Sequence, residues 1–176
     1  MWGGAGRRRC VFVLKAPVNA PFPFTFPFPP GLVRLIASGV WPSRDGPSMI
    51  EQQSRPIVPA ERVRVFADDE SLICLARPPF RSVAQAMAAG GSADFWQKFG
   101  ALHQITPEAA LIIGDFGLGS DSPIVLDYGI SRTDPPVRRL RWHQGGKTEW
   151  VTGAANFDEF AAMLRLDARG TSPRPW

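Results

Sequence analysis

The stretch that decides the fold is Leu111-Ile-Ile-Gly-Asp-Phe-Gly-Leu-Gly-Ser-Asp-Ser-Pro-Ile-Val-Leu-Asp-Tyr128. Two short apolar runs, residues 111–113 and 124–126, flank a loop of Gly, Ser, Asp and Pro. Apolar runs bounded by turn-forming residues are typical of two strands joined by a loop. Three glycines in this loop indicate a backbone that adopts positive φ or passes close to a neighbour. We therefore predict a central hairpin.

The composition is typical of one soluble globular domain. The chain has 176 residues, of which 44% are hydrophobic and 20% charged, and this length is enough to bury a core. No apolar run approaches the roughly 20 residues that span a bilayer, so we expect no membrane partner. Cys10 and Cys74, the only cysteines, cannot build a disulfide framework or a cysteine zinc site. We expect a cytoplasmic protein.

The positive charge lies mostly at the amino-terminal end. The net charge is +4, but residues 1–48 carry six basic side chains and one acidic one. The other 128 residues carry 14 basic and 15 acidic groups. A nucleic-acid-binding domain carries its positive charge on the folded face that binds. We therefore expect no nucleic-acid partner and rank that function last.

The sequence divides into a leader, a domain and a tail. Residues 1–20 lack periodicity, and the apolar run after Arg7-Arg8-Arg9 is too short for a signal peptide, so we predict a disordered or misannotated leader. The domain spans residues 21–168, and the polar residues 169–176 predict a flexible tail. The alternation in Pro21-Phe-Pro-Phe-Thr-Phe-Pro-Phe-Pro-Pro30 excludes a helix and predicts an extended arm that lays its phenylalanines on the domain. A Pro-rich ligand for a partner is the other interpretation.

Hydrophobic periodicity and capping residues predict the remaining elements. Helices are predicted over residues 31–38, 81–89 and 92–100, in a short piece from Thr106, and after the N-cap residue Asn156. Strands are predicted over residues 63–66, 71–75, 137–142 and 149–152, the last two as a second hairpin, and residues 43–55 as a polar linker. Strands followed by a packed helix, without β-α-β alternation, indicate an α+β fold with a mainly antiparallel sheet and helices packed against it.

Motifs for catalysis and cofactor binding are incomplete. Asp115-Phe116-Gly117 spells the magnesium-binding triplet of protein kinases, but the chain lacks the catalytic-loop motif and the strand lysine that accompany it. The glycines that follow match neither a dinucleotide loop nor a phosphate loop. His103 and His143, the only histidines, lie in no metal motif. We expect a locally hydrogen-bonded His103, a solvated His143, no cofactor and no enzymatic activity.

Three aspartates, Asp115, Asp121 and Asp127, recur at six-residue steps through the hairpin. They could cage a hard cation, although the pattern does not match the calcium loop. We expect instead that these carboxylates accept hydrogen bonds from loop amides, as Asp does in turns. A small-ligand- or metal-binding protein that uses the loop from Asp115 to Asp127 is the alternative function. Nothing in the sequence indicates that Asp127 and Glu149 meet as an acid–base pair.

Aromatic residues are the remaining feature. Trp96, Trp142 and Trp150 lie inside predicted elements and are expected to fill the core, and any one left exposed would anchor a protein partner. Arg138-Arg139-Leu140-Arg141-Trp142 has the composition of a nucleic-acid patch. In a strand, however, alternate residues face opposite sides, which separates the last two arginines from the leucine and tryptophan and predicts ordinary half-buried alternation.

A set of short segments, spread from about residue 27 to residue 166, carries a family resemblance. The most specific one runs from Gly-Asp-Phe-Gly-x-Gly-Ser-Asp into the strand Pro-Ile-x-Leu-Asp-Tyr. The others are Arg77-Pro-Pro-Phe-Arg-Ser-Val83, Phe95-Trp96, Phe99-Gly100, Ile105-Thr-Pro-Glu108, Leu140-Arg-Trp142 and residues 157–166. On these residues the chain resembles the SUKH superfamily, which includes the fungal cell-wall-synthesis regulators and many bacterial immunity proteins of the Smi/Knr type.

The resemblance implies an α+β domain that binds other proteins and has no catalytic residues to carry over. Bacterial members neutralise toxins of competing cells, whereas fungal members act as interaction hubs. The chain is rich in Ala, Arg and Pro, which fits a high-GC bacterium and favours an immunity protein whose partner is a toxin. The oligomeric state stays open. The candidate partner-binding residues are Trp96, Phe116, Ser120, Asp121, Asp127 and Tyr128.

Overall fold

Residues 24–89, 93–117 and 122–166 are described by the structure, a computed structural model. The predicted leader and tail lie outside these ranges, as does Ser92, the expected cap of a helix. The helices are α1 (Pro30–Ala37), α2 (Met49–Ser54), α3 (Ala60–Phe66), α4 (Val83–Ala88), α5 (Ala93–Phe99) and α6 (Phe157–Met163), with a short 3-10 helix (Ala101–Gln104) after α5. The strands are β1 (Cys74–Leu75), β2 (Arg81–Ser82), β3 (Ala110–Asp115), β4 (Pro123–Asp127), β5 (Val137–Trp142) and β6 (Thr148–Ala154).

The predicted central hairpin is confirmed as β3 and β4. The two strands pair antiparallel, with Ala110 opposite Asp127 and a bulge before Gly114. Gly114 lies against β1, where an added Cβ would come within 2.9 Å of Cys74 O. Gly117 has a φ of +117°, a region that favours glycine. Gly114 thus allows a neighbouring strand to approach closely and Gly117 allows a positive φ, the two roles predicted from the sequence. Gly119 lies outside the described residues.

One antiparallel sheet, in the order β1-β3-β4-β5-β6 with β2 also paired to β3, organises the domain. Its larger core joins one face to helices α1, α3 and α6 and includes Leu32, Phe66 and Phe160. Its smaller core joins the other face to α4, α5 and the 3-10 helix, with Trp96 stacked on Trp150 at a ring-centroid distance of 6.0 Å. The fold is an α+β single domain, as predicted. No helix among the described residues is long and apolar enough to cross a membrane.

Local signals account for α6 and for the second hairpin. Asn156 caps α6, because its side chain accepts a hydrogen bond from Glu159 N at 2.9 Å, and two acids in the first turn favour the positive end of the helix dipole. Strands β5 and β6 form the predicted second hairpin, whose turn contains Gly145 and Gly146 at positive φ. Helix α1, predicted over residues 31–38, begins one residue earlier at Pro30, and the predicted closing residue Gly39 has a φ of +74°.

The predicted strand Val63-Arg-Val-Phe66 was wrong, because these residues belong to helix α3. Val63 and Phe66, three residues apart, are buried on one side of the helix, whereas Val65 is exposed. Four residues are too few to separate a period of 2 from a period of 3.6. Packing of Phe66 against Phe160, with ring centroids 4.8 Å apart, favours the helical face.

Four smaller predictions also needed correction. The supposed polar linker over residues 43–55 contains α2. The expected short helix from Thr106 is a turn, in which Ala109 N donates to Thr106 O at 2.9 Å. The strand predicted over residues 71–75 is reduced to the two residues of β1. Trp142 is half-buried at the end of β5 rather than in the core, with its ring 4.6 Å from that of Phe99.

Candidate functional site

The candidate residues from the sequence do not form one surface. Trp96, Phe116, Asp127 and Tyr128 are at most 3% exposed, and Trp96 belongs to the smaller core whereas Phe116 and Tyr128 belong to the larger one. Ser120 and Asp121, the other two candidates, lie outside the described residues. The four described side chains therefore build the interior and offer almost no surface to a partner.

Asp127 is held in a buried polar network behind the hairpin. Its Oδ2 lies 3.1 Å from Nη1 of Arg138, and its Oδ1 accepts a hydrogen bond from Gly129 N at 3.0 Å. Arg138 also donates to Gln104 O and to Trp150 O, each at 2.7 Å. As predicted for the three aspartates of the hairpin, Asp127 accepts a hydrogen bond from a loop amide. The network connects β4, β5, β6 and the 3-10 helix, so the role of Asp127 in it is structural.

The arginines of β5 do not form a basic patch. Arg139, predicted to lie on a half-buried face, is buried and lies 2.9 Å from Asp69, with its guanidinium 5.6 Å from the centre of the Phe116 ring. Arg141 lies 3.8 Å from the same carboxylate. Burial raises the pKa of Asp69, but the hydrogen bond and charge of Arg139 outweigh it and lower the pKa overall. The charges of Arg139 and Arg141 are thus paired with Asp69 of the same chain.

The described part of the hairpin offers no cage for a cation. Asp115 lies opposite Pro123 and Asp127 opposite Ala110, so the two carboxylates occupy opposite ends of the hairpin, roughly 15 Å apart at about 3.3 Å per residue. They cannot bind the same ion. Among the described residues, no group of three or more His, Cys, Asp and Glu side chains is placed to hold a metal.

The histidines are engaged locally. His103 Nδ1 donates to Gly100 O at 2.6 Å, which confirms the expected local hydrogen bond. His143 Nε2 lies 2.6 Å from Glu149 Oε1, and both side chains are partly exposed near the turn of the second hairpin. Glu149 therefore pairs with His143 and not with Asp127.

An open cleft of about 630 Å³ lies elsewhere, between the loop after α1 and helix α2. No function was predicted there from the sequence. Its walls are apolar for the most part, and Ile50 on α2 stands 68% exposed. Its lining residues are Gly39, Trp41, Pro42, Ser43, Asp45, Gly46, Pro47, Ile50, Glu51, Ser54 and Arg55.

Hydrogen bonds anchor both walls of the cleft to the sheet. Trp41, a buried residue of the lining, donates from Nε1 to Ala76 O at 2.7 Å. The fully buried amide of Gln52 accepts from Leu75 N and donates to Leu75 O, each at 2.8 Å. Arg77 donates to Gly46 O at 3.0 Å. The cleft is therefore fixed to the edge of β1.

A capping box starts the helix that forms one wall. Ser48 N and Ser48 Oγ both donate to Glu51 Oε2 at 2.7 Å, and Glu51 N donates to Ser48 Oγ at 3.3 Å. The hydrogen bond from the Ser48 backbone, followed by that from its side chain, lowers the pKa of Glu51. The pattern Ser48-x-x-Glu51 is the sequence signature of a helix start. It was the signal that could have revealed α2, and with it the cleft.

The lining of the cleft combines apolar and charged side chains. Its volume falls within the usual range for ligand sites, about 300–1,000 Å³, and charged side chains of both signs, Asp45, Glu51 and Arg55, flank its apolar part. None of its described lining residues is His, Cys or Lys, so it holds no nucleophile–base pair of the common kinds. A ligand that carries an apolar side chain next to polar groups would match this lining.

Comparisons of the chain with protein-family models, with curated proteins and with solved structures found no match.

Proposed function

We propose that the chain is a non-catalytic protein-binding module of the SUKH type, which acts as an immunity protein by binding and neutralising a bacterial toxin. The single observation that carries the binding function is the exposed apolar wall at Ile50, in a cleft anchored to the sheet edge. The hairpin that dominates the sequence contributes the core instead. The toxin is inferred from the family resemblance.

An exposed apolar cleft with a charged rim has the anatomy of a protein interface. Interfaces place apolar residues at the centre and polar ones around them, and exposed apolar patches on monomers mark interaction sites. Ile50 is the exposed large apolar side chain of the cleft lining, which also contains the charged residues Asp45, Glu51 and Arg55. A partner that inserts one apolar side chain beside Ile50 would remove that side chain from water.

Anchoring favours tight binding. Binding loses affinity when loops must be ordered on association. In the cleft, Gln52, Trp41 and Arg77 already fix both walls by hydrogen bonds. The entropy cost of ordering the walls is therefore met during folding, which suits a protein that must capture a toxin at low concentration.

The alternative function, small-ligand or metal binding by the loop from Asp115 to Asp127, has less support. The two described carboxylates lie at opposite ends of the hairpin, and Asp127 is already paired with Arg138. No observation on the described residues favours a ligand there over the cleft.

Substitution of Ile50 tests the proposed function. The immobilised full chain captures a partner from cell extract, and the affinity of the purified partner is then measured by calorimetry for wild type, Ile50→Asp and Val65→Asp. Val65 is a matched control, because it is also a β-branched residue, 61% exposed, on a short helix outside the cleft lining. We expect Ile50→Asp to weaken binding by about tenfold or more, as for a central interface residue, and Val65→Asp to have little effect.

Growth rescue tests the finer part of the proposal. Co-expression of the full chain should restore growth to cells that produce the captured partner, and Ile50→Asp should abolish this rescue. Equal affinity of the partner for wild type and Ile50→Asp would remove the cleft as the binding surface. A captured partner without toxicity would leave a binding module but contradict the immunity function.

A further inference from the structure

Two of the three charged side chains in the cleft lining are unpaired within the part of the chain that the structure describes. Glu51 is engaged, because its Oε2 accepts hydrogen bonds from Ser48 N and Ser48 Oγ, each at 2.7 Å. These bonds, and after them the charge of Arg77, lower the pKa of Glu51. Asp45 and Arg55 are exposed and form no ion pair with another described residue. Both charges are therefore available to a bound segment.

The two unpaired charges lie on either side of helix α2 in the chain. Asp45 precedes the N-cap residue Ser48, and Arg55 is the C-cap residue. The span from Ser48 to Arg55 is roughly 10 Å at about 1.5 Å per residue, and the exposed Ile50 lies within it. In chain order, the cleft lining thus passes from a negative charge through an apolar side chain to a positive charge.

The neighbouring basic residues leave this order of charges in place. Arg44, next to Asp45, is not among the described residues that line the cleft. Arg77 donates to Gly46 O at 3.0 Å, and its charge acts on Glu51. Across a protein interface, charges of opposite sign face each other, and this arrangement contributes specificity more than affinity. The order of charges in the lining therefore predicts the order of charges in the segment that fits it.

We infer that the cleft selects a partner segment in which an apolar side chain lies between a basic one, placed against Asp45, and an acidic one, placed against Arg55. The inference rests on the proposed function, because it names the kind of segment that occupies the cleft. In an extended segment, residues four positions apart are separated by about 13 Å, which is comparable to the span of α2 with the loop before it. Ile50 determines whether a segment binds, and the two charges determine which segment binds.

Short peptides of defined charge test the inference on the full chain. The mixed peptide is Lys-Ser-Leu-Ser-Glu, and the two comparison peptides carry Lys at both ends or Glu at both ends. All three are acetylated and amidated, which removes their terminal charges. Amide chemical shifts of residues 39–55 report the affinity. We expect wild type to bind the mixed peptide about threefold or more tightly than either comparison peptide, as for an exposed ion pair.

Charge reversal in the lining should change the preferred peptide. Asp45→Lys should favour the peptide with two Glu residues, and Arg55→Glu the peptide with two Lys residues. Arg44→Glu is the matched control, because it changes the net charge of the chain as Arg55→Glu does but lies outside the described cleft lining. It should keep the preference for the mixed peptide. Sodium chloride at about 1 M should reduce each preference, because salt screens exposed charges.

The possible failures of the inference and of the proposed function are distinguishable. Equal affinity of wild type for the three peptides, or one preference shared by wild type, Asp45→Lys and Arg55→Glu, would overturn the inference. The proposed function would stand in that case if Ile50→Asp still weakens binding of the captured partner. Absence of binding by all three peptides at several millimolar would also overturn the inference. A mixed peptide with Gly in place of Leu that binds equally well would contradict both, because the apolar contact would then contribute nothing.

Discussion

The pair of Asp127 and Arg138 shows how individual residues are constrained in this protein. The two side chains are 3% and 14% exposed and lie 3.1 Å apart. Removing one partner of a buried ion pair leaves the other charge without compensation, which costs more than the pair itself contributes. The pair is therefore difficult to change one residue at a time, whatever its net contribution to stability.

Asp127→Asn should destabilise the protein strongly. We expect the free energy of unfolding to fall by about 3 kcal/mol or more, because Arg138 keeps its charge in a buried site. Urea denaturation followed by circular dichroism measures the change. Glu149→Gln is the control, because its partner His143 is 43% exposed and an exposed pair contributes about 0–1 kcal/mol. Equal losses in the two variants would contradict the assignment of Asp127 as a structural residue.

Tyr128 offers a direct measure of burial, because it is the only tyrosine in the chain. Burial raises its pKa to about 12, from the usual 10. Between pH 10 and pH 12 the unfolded chain has lost the tyrosine proton while the folded chain retains it, so stability falls as pH rises through this window. Absorbance at 295 nm should show a midpoint near 12, and Tyr128→Phe should flatten the loss of stability. A midpoint near 10 in folded protein would show that the ring is solvated.

At the level of elements, both edges of the sheet are covered by side-chain amides. Gln52 pairs with both backbone groups of Leu75 on β1, and Gln104 accepts a hydrogen bond from Trp150 N on β6 at 2.6 Å. An uncovered edge strand presents unpaired N–H and C=O groups that favour aggregation. Helix α2 and the 3-10 helix therefore protect the sheet as well as packing on it.

Gln52→Ala should expose this role. The substitution leaves Leu75 N and O without partners at a buried edge, and each unsatisfied buried group costs about 1–3 kcal/mol. We expect a loss of roughly 2–4 kcal/mol in thermal or urea unfolding, from the two groups together. Gln53→Ala, the neighbouring position on the same helix, should change stability by less than about 0.5 kcal/mol. Similar effects at both positions would argue against the edge contact.

Elements with a local signal were predictable from sequence. Asn156 at the start of α6 and the glycines between β5 and β6 act within a few residues, so their effect is visible in the sequence. Helix α3 was mistaken for a strand because its face is selected by Phe160, which lies far away in the chain. Helix α2 was missed although its capping box was present at Ser48. The error at α3 arises because distant packing selects its helical face. The error at α2 arises because a capping box visible in the sequence was not recognised.

At the scale of the molecule, the sheet separates two cores, and the proposed binding cleft lies at its edge. The most distinctive motif of the sequence, the central hairpin, is distinctive because it must pass between the two cores and accommodate a bulge and a positive φ at Gly117. The bulge, the positive φ and the position between the two cores are requirements of the fold. The cleft at residues 39–55 arises only when that segment docks on β1, so its composition alone did not predict a site.

Amide chemical shifts of the full chain, with and without the captured partner, test the central claim most directly. If the cleft is the partner-binding surface and the hairpin is structural, the largest shift changes will fall in residues 39–55, with Ile50 among them. Strands β3 and β4 should then change little. Changes concentrated in β3 and β4 would restore the hairpin as the binding site and contradict the assignment of the cleft.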